Sequence, residues 1–290
     1  MSAFEIVGVV GAGFMGTGIA ESAARAGLDV RVFEPDAAAL ERSRGRIQQS
    51  VARAVSTKKL TSEEADALVD RVTWTVTLED LVPAQVVVEA VVEDLSVKTE
   101  VFAELDRMLP DAALIASNTS SIPIAALAAA TARPGRVLGL HFFSPVPVMK
   151  LVEVVVGLDT APATLEQALA FAAQLGKTAV RTKDRSGFIV NMLLVPYLMS
   201  AVRMHEDGFA SREDIDQGMT LGAGHPMGPL LLCDFIGLDV LYAVCDSLYE
   251  EFKHPEYAPP PLLKRMVAAG RLGRKTGRGF YEDSELAQRA

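Results

Sequence analysis

A glycine pattern near the start of the chain constrains its fold more than any other feature. The stretch "VGVVGAGFMGTGIA" carries Gly11, Gly13 and Gly16 directly after an apolar run that is typical of a buried strand. A helix-like run follows and ends at Gly27. The first glycine permits a tight turn, the second lets a pyrophosphate approach the backbone, and the third lets the helix pack on the strand. The pattern predicts a strand–turn–helix unit that binds a dinucleotide.

The next strand-like run, "DVRVFE", ends in Glu34, where a carboxylate can bind the hydroxyls of a ribose. A negative charge at this point repels the extra phosphate of NADP, so we expect NAD to be the cofactor. Arg31 and Arg42 lie nearby in the sequence and could bind that phosphate, so NADP remains an alternative cofactor. A glycine turn without a ligand is the alternative, and the flanking strands and helix make it the weaker interpretation.

Composition excludes several classes of protein. The chain has 290 residues, of which 50% are hydrophobic and 22% charged, with a net charge of −9. This acidity argues against a nucleic-acid partner. The sequence has no unbroken apolar run long enough for a membrane and no secretory pattern at its start, so we expect a cytoplasmic protein without membrane contact. Cys233 and Cys245 have no metal-ligand spacing, so we expect two buried thiols and no metal site.

The pattern of apolar residues changes near residue 185. Before it, strand-like and helix-like runs alternate, which predicts a Rossmann-like, doubly wound and mainly parallel sheet. After it, only helical periodicity remains, punctuated by Gly and Pro, which predicts an all-helical C-terminal domain. We therefore expect a dinucleotide-binding domain over 1–185 and a substrate and dimerisation domain over 186–290. Because its helices are very apolar, we expect the second domain to form a homodimer.

A histidine and a glutamate stand on two neighbouring strand-like runs, "RVLGLHF" and "MKLVEVVV". The prolines of the intervening "FSPVPV" cannot continue a strand ladder. If the two strands fold back about Pro147, His141 and Glu153 face each other, because each lies six residues from it. A histidine held by a carboxylate suits general acid–base catalysis. A purely structural pair is the alternative, because a buried histidine needs a partner in any case.

Three further groups of polar residues are candidates for a site. "ASNTSSIP" follows a strand at the edge where doubly wound sheets bind ligands, and helix caps are the expected role of Ser117 and Ser121. Asn191 lies near the predicted domain junction, where substrate sites often form. A cluster of cations without an intervening acid suits a polyanionic ligand, or else a solvated helix face. This cation cluster comprises Arg42, Arg44, Arg46, Arg53, Lys58 and Lys59.

These motifs together resemble the 3-hydroxyacyl-CoA dehydrogenases over nearly the whole chain. The resemblance is carried by "VGVVGAGFMGTGIA", "VVEAVVEDLSVKTEVF", "ASNTSSIPI", "LGLHFFSPVPVMKLVEVV", "DRSGFIVNMLLVPYL", "LGAGHPMGP" and "GRLGRKTGRGFY". It implies reversible NAD-dependent oxidation of an (S)-3-hydroxyacyl-CoA, with 3-hydroxybutyryl-CoA as the expected substrate. One departure is Ser144, where the family usually has Asn.

The resemblance also implies roles for individual residues. His141 would be the general base and Glu153 its orienting carboxylate, while Ser120 and Asn191 would bind the substrate oxygen. The residues that bind the acyl-CoA substrate would be Ser50, Lys58 and Lys59 in addition to Ser120 and Asn191. The cofactor-binding residues would be Gly11, Gly13, Phe14, Met15, Gly16, Glu34, Glu93, Lys98 and Asn118.

Two other functions remain open at this point. A related NAD-dependent dehydrogenase of a free hydroxy acid, such as a sugar acid, would need no coenzyme A site. A non-catalytic NAD-binding homologue would need no base. The presence of Ser120, His141, Glu153 and Asn191 together argues against the second alternative.

Overall fold

The computed structural model describes residues 4–282, and the chain divides into two compact units, Met1–Arg185 and Ser186–Ala290. Each unit has a hydrophobic core of its own.

The first unit is built on one eight-stranded sheet with the order β3-β2-β1-β4-β5-β6-β7-β8. All neighbouring strands run parallel except β6 and β7, which are antiparallel. The strands are β1 (Ile6–Val10), β2 (Asp29–Phe33), β3 (Val72–Thr75), β4 (Val86–Glu89), β5 (Leu114–Ser117), β6 (Val137–Phe142), β7 (Leu151–Val156) and β8 (Thr178–Lys183). The prediction of a doubly wound, mainly parallel sheet is confirmed.

Helices connect these strands, and the second and third helices begin at residues whose side chains satisfy backbone N–H groups of the first turn. Asp36 accepts a hydrogen bond from the second helix, and Thr61 and Glu64 form a reciprocal capping box at the third. The helices of this unit are α1 (Phe14–Arg25), α2 (Ala37–Ser56), α3 (Ser62–Asp70), α4 (Leu95–Met108), α5 (Ile124–Ala128) and α6 (Pro162–Gln174).

Strands β1, β4, β5 and β6 are buried along almost their whole length. Val7, Val30, Val86 and Leu114 have no exposed surface, as expected for parallel strands with helices on both faces. Burial on both faces explains why these strands read as continuous apolar runs rather than as alternating ones.

The antiparallel pair β6 and β7 folds back as the sequence predicts. Gly139 lies opposite Val155, and His141 lies opposite Glu153. The register places the imidazole and the carboxylate side by side near the carboxyl end of β6.

The second unit is helical, and residues 186–282 contain no strand beyond isolated bridges. The apolar run over 230–252 is divided at Gly237, whose φ of +104° no helix can accommodate. The helices are α7 (Val190–Glu206), α8 (Arg212–Gly222), α9 (Pro229–Ile236), α10 (Leu238–Phe252) and α11 (Pro261–Ala268). No helix within residues 4–282 is long and apolar enough to cross a bilayer.

Two buried aspartates fasten the chain that follows these helices. Asp216 accepts hydrogen bonds from the backbone N–H of Leu230, at 2.7 Å, and from the hydroxyl of Tyr281, at 2.9 Å. Asp234 accepts from the N–H groups of Phe280 and Tyr281. The motif "GRGFY" is thus held against α8 and α9 through backbone and side-chain hydrogen bonds.

Candidate active site

The glycine loop joins β1 to α1 at the point where the strand order reverses, between β1 and β4. Gly11 has a φ of +100°, and a Cβ there would lie 2.6 Å from the carbonyl oxygen of Ala90. A Cβ on Gly16 would lie 1.9 Å from the carbonyl oxygen of Gly11. By contrast, a Cβ on Gly13 would meet nothing within 4 Å. Gly11 and Gly16 are therefore required by the turn itself, and Gly13 leaves open space in front of the helix N-terminus.

A cleft of about 660 Å³ opens at this switch point. Switch points at the carboxyl edge of a parallel sheet are the usual place for a dinucleotide. The predicted residues that line the cleft are Gly11, Gly13, Phe14, Met15, Glu34, Glu93, Lys98, Asn118 and Ser120. Gly16 does not line it and instead packs beneath the loop.

Sequence reasoning missed the apolar part of this cleft. Pro35, Val92, Val97 and Val101 contribute to its walls, and the side chain of Val92 is largely exposed. An apolar wall beside a glycine loop suits a planar base. Valines directly after a buried strand are the sequence signal that could have indicated it.

Glu34 braces the loop from the second strand. One carboxylate oxygen accepts the backbone N–H of Ala12 at 3.1 Å, and the other accepts that of Asp36 at 3.3 Å. The two arginines that left NADP open both have partners, since Arg31 donates to the carbonyl of Asp80 and Arg42 pairs with Asp36 at 3.3 Å. The acidic surroundings of the cleft at this point favour a ribose without a phosphate.

Beneath the cleft lies a buried ionic network that the sequence did not reveal. Nζ of Lys98 lies 2.5 Å from a carboxylate oxygen of Glu89 and 3.2 Å from one of Glu93. Lys98 and Glu89 are 1% and 0% exposed. Burial raises the pKa of Glu93, but the charge of Lys98 and hydrogen bonds from Thr119 and Ser120 outweigh it and lower that pKa below the ordinary value.

Ser120 and Asn118 belong to the loop that follows β5. The N–H of Ser120 donates to Glu93 at 3.0 Å, and Oδ1 of Asn118 accepts the N–H of Phe142 at 2.9 Å. The loop is therefore fixed on one side to Glu93, which lines the cleft, and on the other to Phe142, the residue that follows His141.

The expected role of Ser117 and Ser121 as helix caps is wrong. The hydroxyl of Ser117 donates to Glu89 at 2.6 Å, and that of Ser121 donates to Glu93 at 3.1 Å. Helix α5 is instead capped by Asp184, which accepts the backbone N–H groups of Ile124 and Ala125. A carboxylate distant in sequence takes the place that a local serine was expected to fill.

His141 and Glu153 form a buried pair. Nδ1 of His141 lies 2.7 Å from Oε2 of Glu153, and the two residues are 7% and 0% exposed. The imidazole also contacts the ring of Phe143, with centroids 4.6 Å apart. A carboxylate on Nδ1 fixes the tautomer in which Nε2 is the basic nitrogen.

Asn191 lies in the second unit, in the first turn of α7, where its side chain is half-buried.

Cys233 and Cys245 are free, buried thiols, as predicted, and burial raises the pKa of Cys245 to about 12. Within residues 4–282 no group of three His, Cys, Asp or Glu side chains is arranged to hold a metal ion.

The cation cluster is less uniformly positive than its sequence suggests. Arg42 and Arg44 pair with Asp36 and Glu41, which lie just before the cluster and were not counted with it. Lys58 and Lys59 are exposed at the end of α2, so their charges face solvent.

Ser50, which the resemblance assigns to coenzyme A, donates its hydroxyl to Glu21 at 2.8 Å. Its proposed contact with a phosphate remains a prediction.

Comparison with known proteins places these features in a family. Residues 6–185 match the model of the 3-hydroxyacyl-CoA dehydrogenase NAD binding domain, and residues 187–283 match that of the 3-hydroxyacyl-CoA dehydrogenase C-terminal domain. A 3-hydroxybutyryl-CoA dehydrogenase of Mycobacterium tuberculosis is 58% identical over 281 residues, covering 96% of this chain and 98% of the relative.

Two solved structures are similar over the same extent. The crystal structure of M. tuberculosis FadB2 has a TM-score of 0.96 at 57% identity and covers 97% of this chain and 99% of that one. The (S)-3-hydroxybutyryl-CoA dehydrogenase PaaH1 from Ralstonia eutropha has a TM-score of 0.92 at 43% identity, with the same coverage of 97% and 99%. From its glycine loop to its C-terminal helices, the chain belongs to the 3-hydroxyacyl-CoA dehydrogenase family.

Proposed function

We propose that the protein catalyses the reversible NAD-dependent oxidation of (S)-3-hydroxyacyl-CoA, with 3-hydroxybutyryl-CoA as the preferred substrate and acetoacetyl-CoA as the product. The observation that carries this proposal is the buried contact of 2.7 Å between His141 of β6 and Glu153 of β7. Strand β6 pairs with β5, and the loop after β5 lines the cleft. The names of the similar proteins support the choice of substrate.

The cleft fits a dinucleotide by its own geometry. Gly13 leaves room for a pyrophosphate at the N-terminus of α1, which has no side-chain cap of its own. Glu34 lines the cleft and would bind the adenosine ribose, and Glu93 and Lys98 line the same cleft. NAD, when bound, supplies the acceptor for the hydride that leaves C3 of the substrate.

The residues of the chain handle the proton. Nε2 of His141 takes the proton of the 3-hydroxyl as the alcohol becomes a ketone, and Glu153 stabilises the imidazolium that results. In the reverse direction the same imidazolium returns the proton to the developing alkoxide. Ser120 hydrogen-bonds the reacting oxygen and holds it within reach of the histidine, and Asn191 is a further residue that binds the substrate. Ser50, Lys58 and Lys59 bind the phosphates of coenzyme A.

Initial rates of NADH consumption with acetoacetyl-CoA test this function directly. We expect turnover with acetoacetyl-CoA to exceed that with longer 3-ketoacyl-CoAs, and NADH to be preferred to NADPH. An absence of turnover with every 3-ketoacyl-CoA would reject the proposal.

A dehydrogenase of free hydroxy acids is the nearest competing function. A similar structure at 29% identity is that of a pyridine carboxylic acid dehydrogenase, so the fold alone does not exclude it. Retention on a coenzyme A affinity matrix separates the two, because a free acid needs no nucleotide handle. Failure to bind the matrix, together with oxidation of free hydroxy acids, would favour the competing function.

We also propose that the protein is a cytoplasmic homodimer. Exposed apolar side chains on the second unit, including Leu193, Phe209 and Leu221, support the pairing of two copies. Light scattering should give twice the mass of the chain, and a monomer at micromolar concentration would contradict the proposal.

A further inference from the structure

Glu89 is a completely buried carboxylate with no role so far. It is the last residue of β4 and lies in register between Val10 of β1 and Ser117 of β5. Its oxygens accept three hydrogen bonds: from the N–H of Val91 at 2.7 Å, from Lys98 at 2.5 Å and from the hydroxyl of Ser117 at 2.6 Å. Three segments of the unit therefore converge on one carboxylate beneath the cleft.

A first chain of contacts leads from Glu89 to the loop after β5. Because the hydroxyl proton of Ser117 points to Glu89, its oxygen can accept the N–H of Thr119, at 3.1 Å. The carbonyl of Glu89 also accepts the N–H of Asn118 at 2.8 Å. The carboxylate thus sets the direction of the hydrogen bond that begins this loop.

A second chain of contacts reaches the same loop through a cation. Lys98, held by Glu89, also contacts Glu93. One oxygen of Glu93 accepts the hydroxyl of Thr119 at 2.5 Å and the N–H groups of Ser120 and Ser121 at 3.0 and 3.3 Å. The loop that carries Ser120 is therefore held from Glu89 by two routes, one that ends at the N–H of Thr119 and one that ends at the N–H of Ser120.

Charge and geometry both favour a glutamate at position 89. Buried beside Lys98, a carboxylate neutralises the ammonium and still has lone pairs for Ser117 and Val91. A glutamine has a single acceptor oxygen and a donor amide. If its oxygen faced Lys98, its NH₂ would meet Ser117, and the hydrogen bond toward Thr119 would have to be rebuilt.

We infer that Glu89 is a positioning residue of the reaction, which acts through Ser117 and through the Lys98–Glu93 pair to hold Ser120 against the substrate oxygen. The inference rests on the proposed function and extends it to a group that touches neither substrate nor cofactor.

A double-mutant cycle on turnover tests this inference. Glu89→Gln should lower kcat by about 10- to 100-fold, as expected for a buried partner that orients a catalytic group, and leave the KM for acetoacetyl-CoA within about threefold. In a Ser120→Ala background the same change should cost about twofold or less, because the group that Glu89 positions is already absent. A purely structural role predicts equal losses in both backgrounds, and that result would overturn the inference.

Two further variants distinguish a loss of positioning from a defect in folding. Asp106→Asn removes a largely buried carboxylate on α4, which pairs with Arg133 at 2.6 Å and accepts the N–H of Ala132 rather than a group of the loop after β5. It should lower stability and leave kcat unchanged, and a loss of kcat equal to that of Glu89→Gln would overturn the inference. If Glu89→Gln does not fold, Ser117→Ala replaces it in the cycle, with the same expected dependence on Ser120.

Failure of the proposed function can be distinguished from failure of the inference about Glu89. A folded wild-type chain that does not reduce acetoacetyl-CoA would reject the proposed function and the inference with it. An active wild type with additive losses would reject the inference alone. A Ser120→Ala variant with the wild-type kcat would reject the inference and the proposed role of Ser120, but not the overall reaction.

Discussion

Glu153 holds its carboxylate 2.7 Å from Nδ1 of His141, and this contact decides which ring nitrogen can take a proton. Without the charge, an imidazolium in this buried position loses its stabilising partner. With an amide in place of the carboxylate, the imidazole can also be held in the wrong tautomer. The pair therefore makes the reactivity of His141 depend on a residue that does not itself touch the substrate.

Replacing that carboxylate by an amide gives a prediction at the scale of one residue. We expect Glu153→Gln to fold normally and to bind NAD as the wild type does, but to lose roughly 10²- to 10⁴-fold in kcat/KM, since the geometry is kept and the charge is lost. Steady-state kinetics and NAD titration measure the two effects. Glu166→Gln, at an exposed position of α6, is the control and should behave as wild type. A Glu153→Gln variant with unchanged kcat/KM would contradict the proposed role.

Single residues also mark where prediction from sequence ends. The pairing of His141 with Glu153 follows from the sequence because a proline-rich turn between two strand-like runs fixes the register. The partners of Ser117 and Glu89 do not follow, because they come from neighbouring strands and a helix. Which distant group satisfies a buried polar side chain depends on packing that local patterns do not contain.

At the scale of elements, the helices and strands follow closely from hydrophobic periodicity. Parallel strands buried on both faces read as unbroken apolar runs, and the surface helices read as amphipathic ones. The single long helical run after residue 229 is where the pattern is ambiguous, since only the backbone of Gly237 divides it into α9 and α10. Periodicity identifies the type of an element more reliably than its ends.

The strand–turn–helix unit of the glycine loop gives the second prediction. Gly11→Ala places a methyl group 2.6 Å from the carbonyl oxygen of Ala90 at a φ of +100°. The strain should lower the free energy of unfolding by about 1–3 kcal/mol and weaken NAD binding, because the turn must move. Urea unfolding and NAD titration test both expectations.

Gly45→Ala is the matched control for that variant. Gly45 lies inside α2, and a Cβ there would meet nothing within 4 Å. The change should raise stability by about 0.5–1 kcal/mol, the usual gain from alanine within a helix. If both substitutions had the same effect, the steric account of the loop would be wrong.

At the scale of the whole molecule, the two units depend on different buried charges. In the first, Lys98 is shared between two carboxylates beneath the cleft. In the second, Asp234 lies near Asp216 and fastens the backbone of Phe280 and Tyr281. Burial, joined by the charge of Asp216, raises the pKa of Asp234 from 3.8 to about 6, although the two backbone N–H groups and Arg212 oppose the change.

This raised pKa makes stability depend on pH. Between pH 3.8 and about 6 the folded chain keeps a proton on Asp234 that the unfolded chain has lost. The contribution of Asp234 to the free energy of unfolding is therefore greatest below the lower value and disappears as the pH rises through the higher one.

Asp234→Asn should remove this component. The unfolding free energy of the wild type minus that of Asp234→Asn, followed by urea titration, should decrease as the pH rises from 3.8 to about 6. Asp207→Asn, at an exposed position of the same unit, should leave the dependence in place. A difference that stays constant with pH would contradict the raised pKa.

The central claim is that His141 exchanges the proton of the substrate while the cleft at the glycine loop holds the cofactor. The most direct measurement compares single-turnover reduction of acetoacetyl-CoA by NADH in the wild type and in His141→Gln, with NADH affinity determined for both. The account predicts nearly equal NADH affinity and a loss of roughly 10²- to 10⁴-fold or more in the rate of reduction. A His141→Gln variant that reduces the substrate within about tenfold of the wild-type rate would contradict it.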